Sequence, residues 1–531
     1  MKCPTCLLAC LVLVASVHAN PSQPDIVIIL VDDMGYSDIG CYGGEVQTPT
    51  LNKLAEQGVR FTQFYNAGRC CPTRASLLTG LYPHQAGVGH MIGDKGKPGY
   101  IGRLNERSVT IAEVLKTAGY HTVAAGKWHV SPFSYGSGQG THKGTWPLQR
   151  GFDRFIGTLA GGGNFYHPKT FMHDNVYKEP GEGFYYTDVI SDATVQFINE
   201  APKDKPLFAY VAHTAPHWPL HAHEEDIAKY DGVYDAGWDV VRKARHKRMV
   251  EMGIIDGAWQ LPERDKRVQP WSEKPNHCAW RSQLMQVHAA MIDRVDQGIA
   301  KIVEALKQRG TLDNTMIVFL SDNGASEETP GMPGIKRFAK DGFDTSQWGN
   351  KSDVTPGGPH TFQSFGIPWA NVSNTPFRWY KSEMHEGGIA TPLVFYYPPG
   401  TASDMRGKLV HEPGHIIDFM ATCVDLSNAS YPETFGDRTV DPMEGVSLSR
   451  ALKGKSLQRA APLFFEHQDC AAIRDGQWKL VRLKNKPWEL YDMHTDRTET
   501  NNLAKQHPER VKQMAEQWQA WAERTNVFPK P

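Results

Sequence analysis

Six consecutive apolar residues, Ile26-Val27-Ile28-Ile29-Leu30-Val31, end abruptly on two adjacent carboxylates, Asp32 and Asp33. A run with no polar face predicts a strand buried on both sides, as in the centre of a parallel sheet covered by helices. The pattern recurs. Thr122 to Ala125 runs into Gly126-Lys127-Trp128-His129, Leu207 to Ala212 into His213 to His217, and Thr315 to Leu320 into Ser321-Asp322-Asn323; Thr391 to Tyr397 reads as one more strand. Helical segments lie between them. One starts near Leu51 and is stopped by Gly58; one opens at the capping box Thr110-Ile111-Ala112-Glu113 and ends at Gly119. A long one covers Gln283 to Arg309, with apolar residues at Leu284, Val287, Met291, Val295, Ile299 and Ile302 and Gly310 as its cap. Strands alternating with helices specify an α/β fold, a mostly parallel sheet flanked by helices. In such sheets ligands bind beyond the carboxyl ends of the strands, so four polar clusters at four strand ends predict one shared site.

After about residue 430 the pattern changes. Leu463 to His467, Ala471 to Arg474 and Trp478 to Arg482 are short and strand-like, Asp475-Gly476 is a hairpin signal, Glu489 to Tyr491 can add an edge, and Val511 to Arg524 reads as a closing helix. The expected division is a signal peptide over 1–19, an α/β catalytic domain over 20–430, and a small antiparallel α+β subdomain over 431–531. Within the large domain, 224–275 reads as a charged, helix-prone insertion and 326–375 as a Gly/Pro/Ser-rich loop region. Lys2, the apolar Leu7 to Val14 and the small-residue site Val17-His18-Ala19 are ordered as a secretory signal cleaved after Ala19, which implies a secreted or periplasmic protein. No later stretch reaches the length of a membrane span. A net charge of −1 argues against nucleic acid or an anionic membrane as main partner. The cysteines beyond the signal are scattered, without zinc-ligand spacing or the density of a disulfide scaffold.

Taken singly, the polar residues have ordinary readings: Asp32-Asp33 as a helix cap or turn, Asp322-Asn323 as a turn, Lys127 as a surface lysine, His129 as a satisfied histidine. Together, Asp32, Asp33, Asp322 and Asn323 put three carboxylates and an amide oxygen on one sheet edge, which demands a cation. An all-oxygen set suits Ca²⁺ or Mg²⁺ rather than zinc. Lys127 offers a compact positive charge and His129 a proton carrier. His217, held between Pro216 and Trp218, is a candidate anion contact, with His213 a supporting group. Gly387-Gly388 implies close backbone approach and draws Lys381 toward the site. Cys70 precedes the helical Ala75-Ser76-Leu77-Leu78, so it stands near a helix N-terminus that favours anions, with Arg74 adding a fixed charge. Trp128 and Trp218 are candidates to stack on a ring of the substrate.

Cys70-Cys71-Pro72-Thr73-Arg74, followed by Ala75 to Gly80, resembles the signature of the type I sulfatases. Asp32-Asp33-Met34-Gly35, Gly126 to His129, Ala215-Pro216-His217, Ser321 to Gly324 and Lys381 to Gly388 each resemble sulfatase segments and stand in family order. The similarity is nearest to bacterial arylsulfatases of the alkaline-phosphatase-like superfamily. It implies that a maturation enzyme, the formylglycine-generating enzyme, oxidises Cys70 to 3-oxoalanine (formylglycine), the catalytic nucleophile. It implies Ca²⁺, in preference to Mg²⁺, held by Asp32, Asp33, Cys70, Asp322 and Asn323. It further implies that Arg74 and Lys127 steady the formylglycine hydrate, that His217 and Lys381 bind sulfate and assist the leaving alcohol, and that His129 takes the proton that releases sulfate. The expected substrate is a sulfated small molecule or glycan. Two alternatives stand beside this: a formylglycine-dependent phosphonate monoester or phosphodiester hydrolase, which the Lys127 and His129 pair disfavours, and an unmatured, non-catalytic glycan-binding protein.

Overall fold

The computed structural model describes residues 23–134, 139–340 and 342–531; the expected signal segment lies outside the described residues. Eleven strands make the main sheet: β1 Asp25–Val31, β2 Val59–Tyr65, β3 His121–Lys127, β4 Arg154–Thr158, β5 Phe171–His173, β6 Val176–Tyr177, β7 Leu207–Ala212, β8 Thr315–Ser321, β9 Ala390–Tyr396, β10 Leu409–Val410 and β11 Gly414–His415. Their order is β10-β2-β9-β8-β1-β7-β3-β4-β5-β6, with β11 also beside β2. The apolar run at β1 is central and lies parallel to both neighbours, Ile28 opposite Tyr210 on one side and Val318 on the other.

Alternation along β1 feeds two cores. Val27, Ile29 and Val31 join helices Pro49–Gln57, Tyr186–Glu200 and Cys278–Arg309 on one face. Ile26, Ile28 and Leu30 join helices Cys70–Thr79, Ile111–Thr117 and Asp418–Ser427 on the other. Each such side chain, fully buried, stabilises the fold by roughly 1.5–3 kcal/mol. The Thr110 capping box forms as the residues require: Thr110 Oγ1 accepts from Glu113 N–H at 3.0 Å, and Glu113 Oε2 accepts from Thr110 N–H at 2.7 Å. The long helix begins five residues earlier than its apolar periodicity indicates and stops at Gly310, whose φ of 81° is the left-handed conformation that ends helices.

The sheet is not purely parallel: at one edge β5 runs antiparallel to both β4 and β6. β9 runs antiparallel to β8, and β2 antiparallel to β9. A segment that precedes β9 therefore arrives at the same edge where β1 and β8 leave. β2 itself carries no continuous apolar run, and its alternation is broken by a bulge between Phe61 and Phe64.

Near the C-terminus, strands Leu463–His467, Cys470–Asp475, Trp478–Arg482 and Glu489–Asp492 form an antiparallel sheet in chain order. Asp475 pairs with Trp478 across Gly476, at φ 54°. The helix Pro508–Arg524 buries Met514, Trp518 and Trp521 against this sheet. The 224–275 region carries helices Glu224–Ala228 and Trp238–Glu251, and 326–375 is irregular apart from Met332–Lys336 and Gly366–Ser373. Among the described residues, no helix is long and apolar enough to cross a membrane, and all cysteines are free thiols.

Candidate active site

The four strand-end clusters and two further segments meet at one edge of the sheet. Asp32 and Asp33 follow β1 directly, anchored by Asp32 N–H donating to Ala215 O at 3.2 Å; Asp322 follows β8, its N–H donating to Val31 O at 3.0 Å. Asp33 and His129 hold left-handed backbones, with φ 65° and 55°, a conformation rare outside glycine and frequent at functional turns. Cys70 is the first residue of the buried helix Cys70–Thr79 rather than a residue ahead of it, and Arg69 is the N-cap. Lys127 ends β3, His217 lies in the turn after β7, and Lys381 precedes β9.

Buried charges pair across these elements. Arg74, fully buried, donates from Nε and Nη2 to Asp322 Oδ2 at 3.0 and 2.7 Å, and from Nη1 to Lys127 O at 3.0 Å. Lys127 Nζ donates to Asp32 Oδ2. Lys381 Nζ lies 2.8 and 2.9 Å from the two oxygens of Asp33, and His217 Nε2 lies 3.6 Å from Asp33 Oδ2. Burial alone would raise the Asp32 carboxyl, but Lys127, His217 and Arg74 outweigh it and hold the group below its ordinary range. Asp322 goes the other way: burial and the neighbouring Asp32 charge push it well up against Arg74 and Lys127. The Cys70 thiol is held well below the usual thiol range by hydrogen bonding with Cys71 and by the Lys127 and His129 charges, against burial. Burial lowers His129 to about 4, so its ring is neutral near pH 7 and free to accept a proton.

The donor set fits a hard cation. Asp32 Oδ1, Asp322 Oδ1 and Asn323 Oδ1 are buried with no hydrogen-bond partner, and Asn323 Nδ2 lies 2.6 Å from Asp33 Oδ1. Unsatisfied buried oxygens on three neighbouring side chains are costly unless a cation takes them. Ligand atoms of Asp32, Asp33 and His217 also lie within 4.8 Å of one another, as do those of Cys70, Cys71 and His129.

Cys70, His129, His217 and Lys381 open into a cavity of about 300 Å³, also lined by Arg69, Gly161, Gly162, Trp218, Glu328 and Phe338. The turn after β4 and the 326–375 region both reach the site, through Gly161-Gly162 and through Glu328 to Phe338. Trp218 is in the wall as expected. Trp128 is not: it is fully buried, edge-on to Phe152, with Nε1 donating to Thr145 O at 2.9 Å, so it cannot stack on substrate. The His213 ring is buried away from the cavity, and burial lowers it to about 3. Sequence reasoning missed Arg69 and Glu328, which pair at 3.0 Å. Arg69 could have been suspected from its place one residue ahead of Cys70; Glu328 had no signal beyond being a charge in a loop.

A mostly parallel, helix-flanked sheet with an antiparallel C-terminal sheet and this site at its edge defines the alkaline-phosphatase-like fold as sulfatases build it. Residues 24–429 match the sulfatase family, and 376–524 match the family described as N-sulphoglucosamine sulphohydrolase, C-terminal; the chain belongs to the sulfatase family and is an enzyme of that class. It is 34% identical over 476 aligned positions to an arylsulfatase of Klebsiella aerogenes, covering 85% of this chain and 97% of that protein. It is 32% identical over 554 positions to an uncharacterized sulfatase of Schizosaccharomyces pombe, covering 97% and 96%. The solved structure of Ps i-CgsB is similar with a TM-score of 0.68 at 25% identity, covering 95% of this chain and 93% of that one.

Proposed function

We propose that this sulfatase hydrolyses aryl or carbohydrate sulfate monoesters at Cys70, matured to formylglycine by a formylglycine-generating enzyme, with Ca²⁺ bound by Asp32, Asp33, Asp322, Asn323 and the modified Cys70. The observation that carries the reading is the convergence of buried, unpartnered oxygens of Asp32, Asp322 and Asn323 with three buried cations, Arg74, Lys127 and Lys381, around a residue at a helix N-terminus. A bound Ca²⁺ would polarise a sulfate oxygen and stabilise the ionised nucleophile. The hydrate of formylglycine would supply one hydroxyl to attack sulfur and a second whose deprotonation re-forms the carbonyl and breaks the bond to sulfate.

The chain's own groups do the rest. Arg74 and Lys127 fix the nucleophile and neutralise its charge. Asp322, a carboxylate at the same sheet edge, would take the attacking hydroxyl's proton. His217 and Lys381 hold the sulfate oxygens, and one of them protonates the departing alkoxide. His129, neutral near pH 7, takes the proton that lets sulfate leave. A carbohydrate substrate is supported by a protein of the same fold, Ps i-CgsB, solved in complex with k-i-k-neocarrahexaose and 25% identical to this chain. The signal-like 1–19 segment supports export, and 20–430 and 431–531 are taken as catalytic domain and C-terminal subdomain.

The test is the mass of the tryptic peptide Cys70–Arg74 from protein purified from its own host, alongside sulfate release from an aryl sulfate. A peptide lighter by the thiol-to-aldehyde change, with Cys71 intact, is expected. Active protein with an unmodified Cys70 would end the formylglycine mechanism. Faster cleavage of an aryl phosphodiester than of the sulfate would favour the phosphodiesterase alternative.

A further inference from the structure

Cleaving a sulfate ester gives no reason to place a carboxylate in the wall of the substrate cavity, and Coulomb repulsion between it and the sulfate opposes binding. Glu328 nevertheless stands there with Cys70 and Lys381. Its Oε1 accepts from Arg69 Nη2 at 3.0 Å; its Oε2 accepts from Trp218 Nε1 at 3.2 Å and lies 3.6 Å from Lys381 Nζ. Ser326 Oγ also donates to Oε2, at 3.4 Å, which leaves Oε1 with Arg69 as its one named donor. The side chain is 29% exposed, and a carboxylate offers about four acceptor positions. Glu328 therefore presents lone pairs to whatever fills the cavity, and a sulfate group cannot use them, having only acceptors itself. The group that can is a hydroxyl on the alcohol half of the ester.

The neighbouring wall suits a sugar. Trp218 is half-buried, packed by His217 at 4.4 Å, Phe338 at 5.9 Å and Phe362 at 5.8 Å, and it lines the cavity next to an acceptor. An aromatic face beside a hydrogen-bonding group matches a pyranose, with its apolar face and its rim of hydroxyls. The volume sets the size. About 300 Å³ is the lower end of ordinary ligand cavities, enough for one ring with its sulfate.

Resting on the sulfatase reading above, we infer that Glu328 is a specificity-determining residue. It accepts a hydrogen bond from a free hydroxyl beside the sulfate ester on the sugar ring that fills the cavity, with Trp218 against that ring's apolar face. The same carboxylate disfavours a second anionic group, a sulfate or a uronate, on that ring.

The test compares kcat/KM of mature enzyme on p-nitrophenyl sulfate, on a neutral hexose 6-sulfate and on the corresponding hexose disulfate. Wild-type enzyme is expected to favour the monosulfated monosaccharide at least about 10-fold over the disulfate. In Glu328→Gln, the ratio of sugar sulfate to aryl sulfate is expected to fall about 10-fold or more, chiefly through the sugar's KM, the scale of a hydrogen bond to a charged group. Equal loss on sugar and aryl substrates would show that Glu328 only positions Lys381 and Arg69, and would overturn the inference. So would a wild-type preference for the disulfated sugar, which needs no variant to fold. A wild-type enzyme with verified formylglycine that released sulfate from none of these would instead defeat the sulfatase mechanism itself.

Discussion

Arg74 links four groups with one side chain. Its fork reaches Asp322 by two N–H donors and the Lys127 carbonyl by a third, with Tyr210 Oη at 3.4 Å and Asp32 Oδ2 at 4.0 Å. A lysine has neither the planar geometry nor the donors to repeat this. Arg74→Lys is expected to lower kcat by at least about 100-fold, the scale of losing one preorganised charge contact, with a smaller change in Tm. Steady-state kinetics beside thermal melts separate the two effects. Arg74 could be read from the sequence because it stands at fixed spacing from Cys70 and Pro72 on one helix. Glu328 could not, because its meaning comes from Arg69, Trp218 and Lys381, which three distant segments bring to it.

At the scale of elements, direction of travel decides membership of the site. Lys381 belongs because β9 is antiparallel to β8, so the segment before the strand, not after it, faces the catalytic edge. Gly161 belongs because it follows β4, a short strand beside β3 that carried no clear apolar run. Its place is sterically exclusive: a Cβ there would sit 1.9 Å from the His129 ring. Gly161→Ala must therefore push His129 aside. The expected result is a fall in kcat of about 10²-fold, the cost of misplacing a catalytic group by an ångström, with little change in KM. Unchanged kcat would show that His129 is not the proton carrier.

At the scale of the molecule, the C-terminal sheet is held to the catalytic sheet by buried charge. Glu386, just ahead of β9, is fully buried and accepts from Lys479 Nζ at 2.9 Å and Arg497 Nε at 2.7 Å, with Glu499 2.8 Å from the same lysine. A second junction joins Glu466, on the C-terminal sheet, to His84 Nε2 at 2.9 Å and Lys530 Nζ at 2.8 Å. Burial alone would raise Glu466, but His84 and Lys530 bring it down from 4.5 to about 2. A carboxyl depressed in the folded state contributes stability that is fully present above the unfolded value of 4.5 and is lost as pH falls through about 2. At neutral pH this amounts to on the order of 3 kcal/mol. Denaturant melts from pH 6 to pH 2 should show stability falling across that window, with a visibly flatter decline in Glu466→Gln. An identical pH slope in the variant would remove Glu466 from the account.

What the residues determined alone was whatever depends on short range. The β1, β3, β7 and β8 strands announce themselves because a strand buried on both faces must be apolar through its middle. The capping box at Thr110, the Gly310 stop and the Asp475-Gly476 hairpin follow from local hydrogen bonding and backbone freedom. The grouping of Asp32, Asp33, Asp322, Asn323, Lys127 and His217 at one edge follows because parallel strands deliver their carboxyl ends together. Tertiary structure decided the rest: the reversed direction of β9, the burial of Trp128 and exposure of Trp218 from equally aromatic positions, and the arrival of Glu328 and Gly161 in the cavity wall. Strand pairing and loop packing are sums of many weak contacts between residues far apart in the chain, so no local pattern records them.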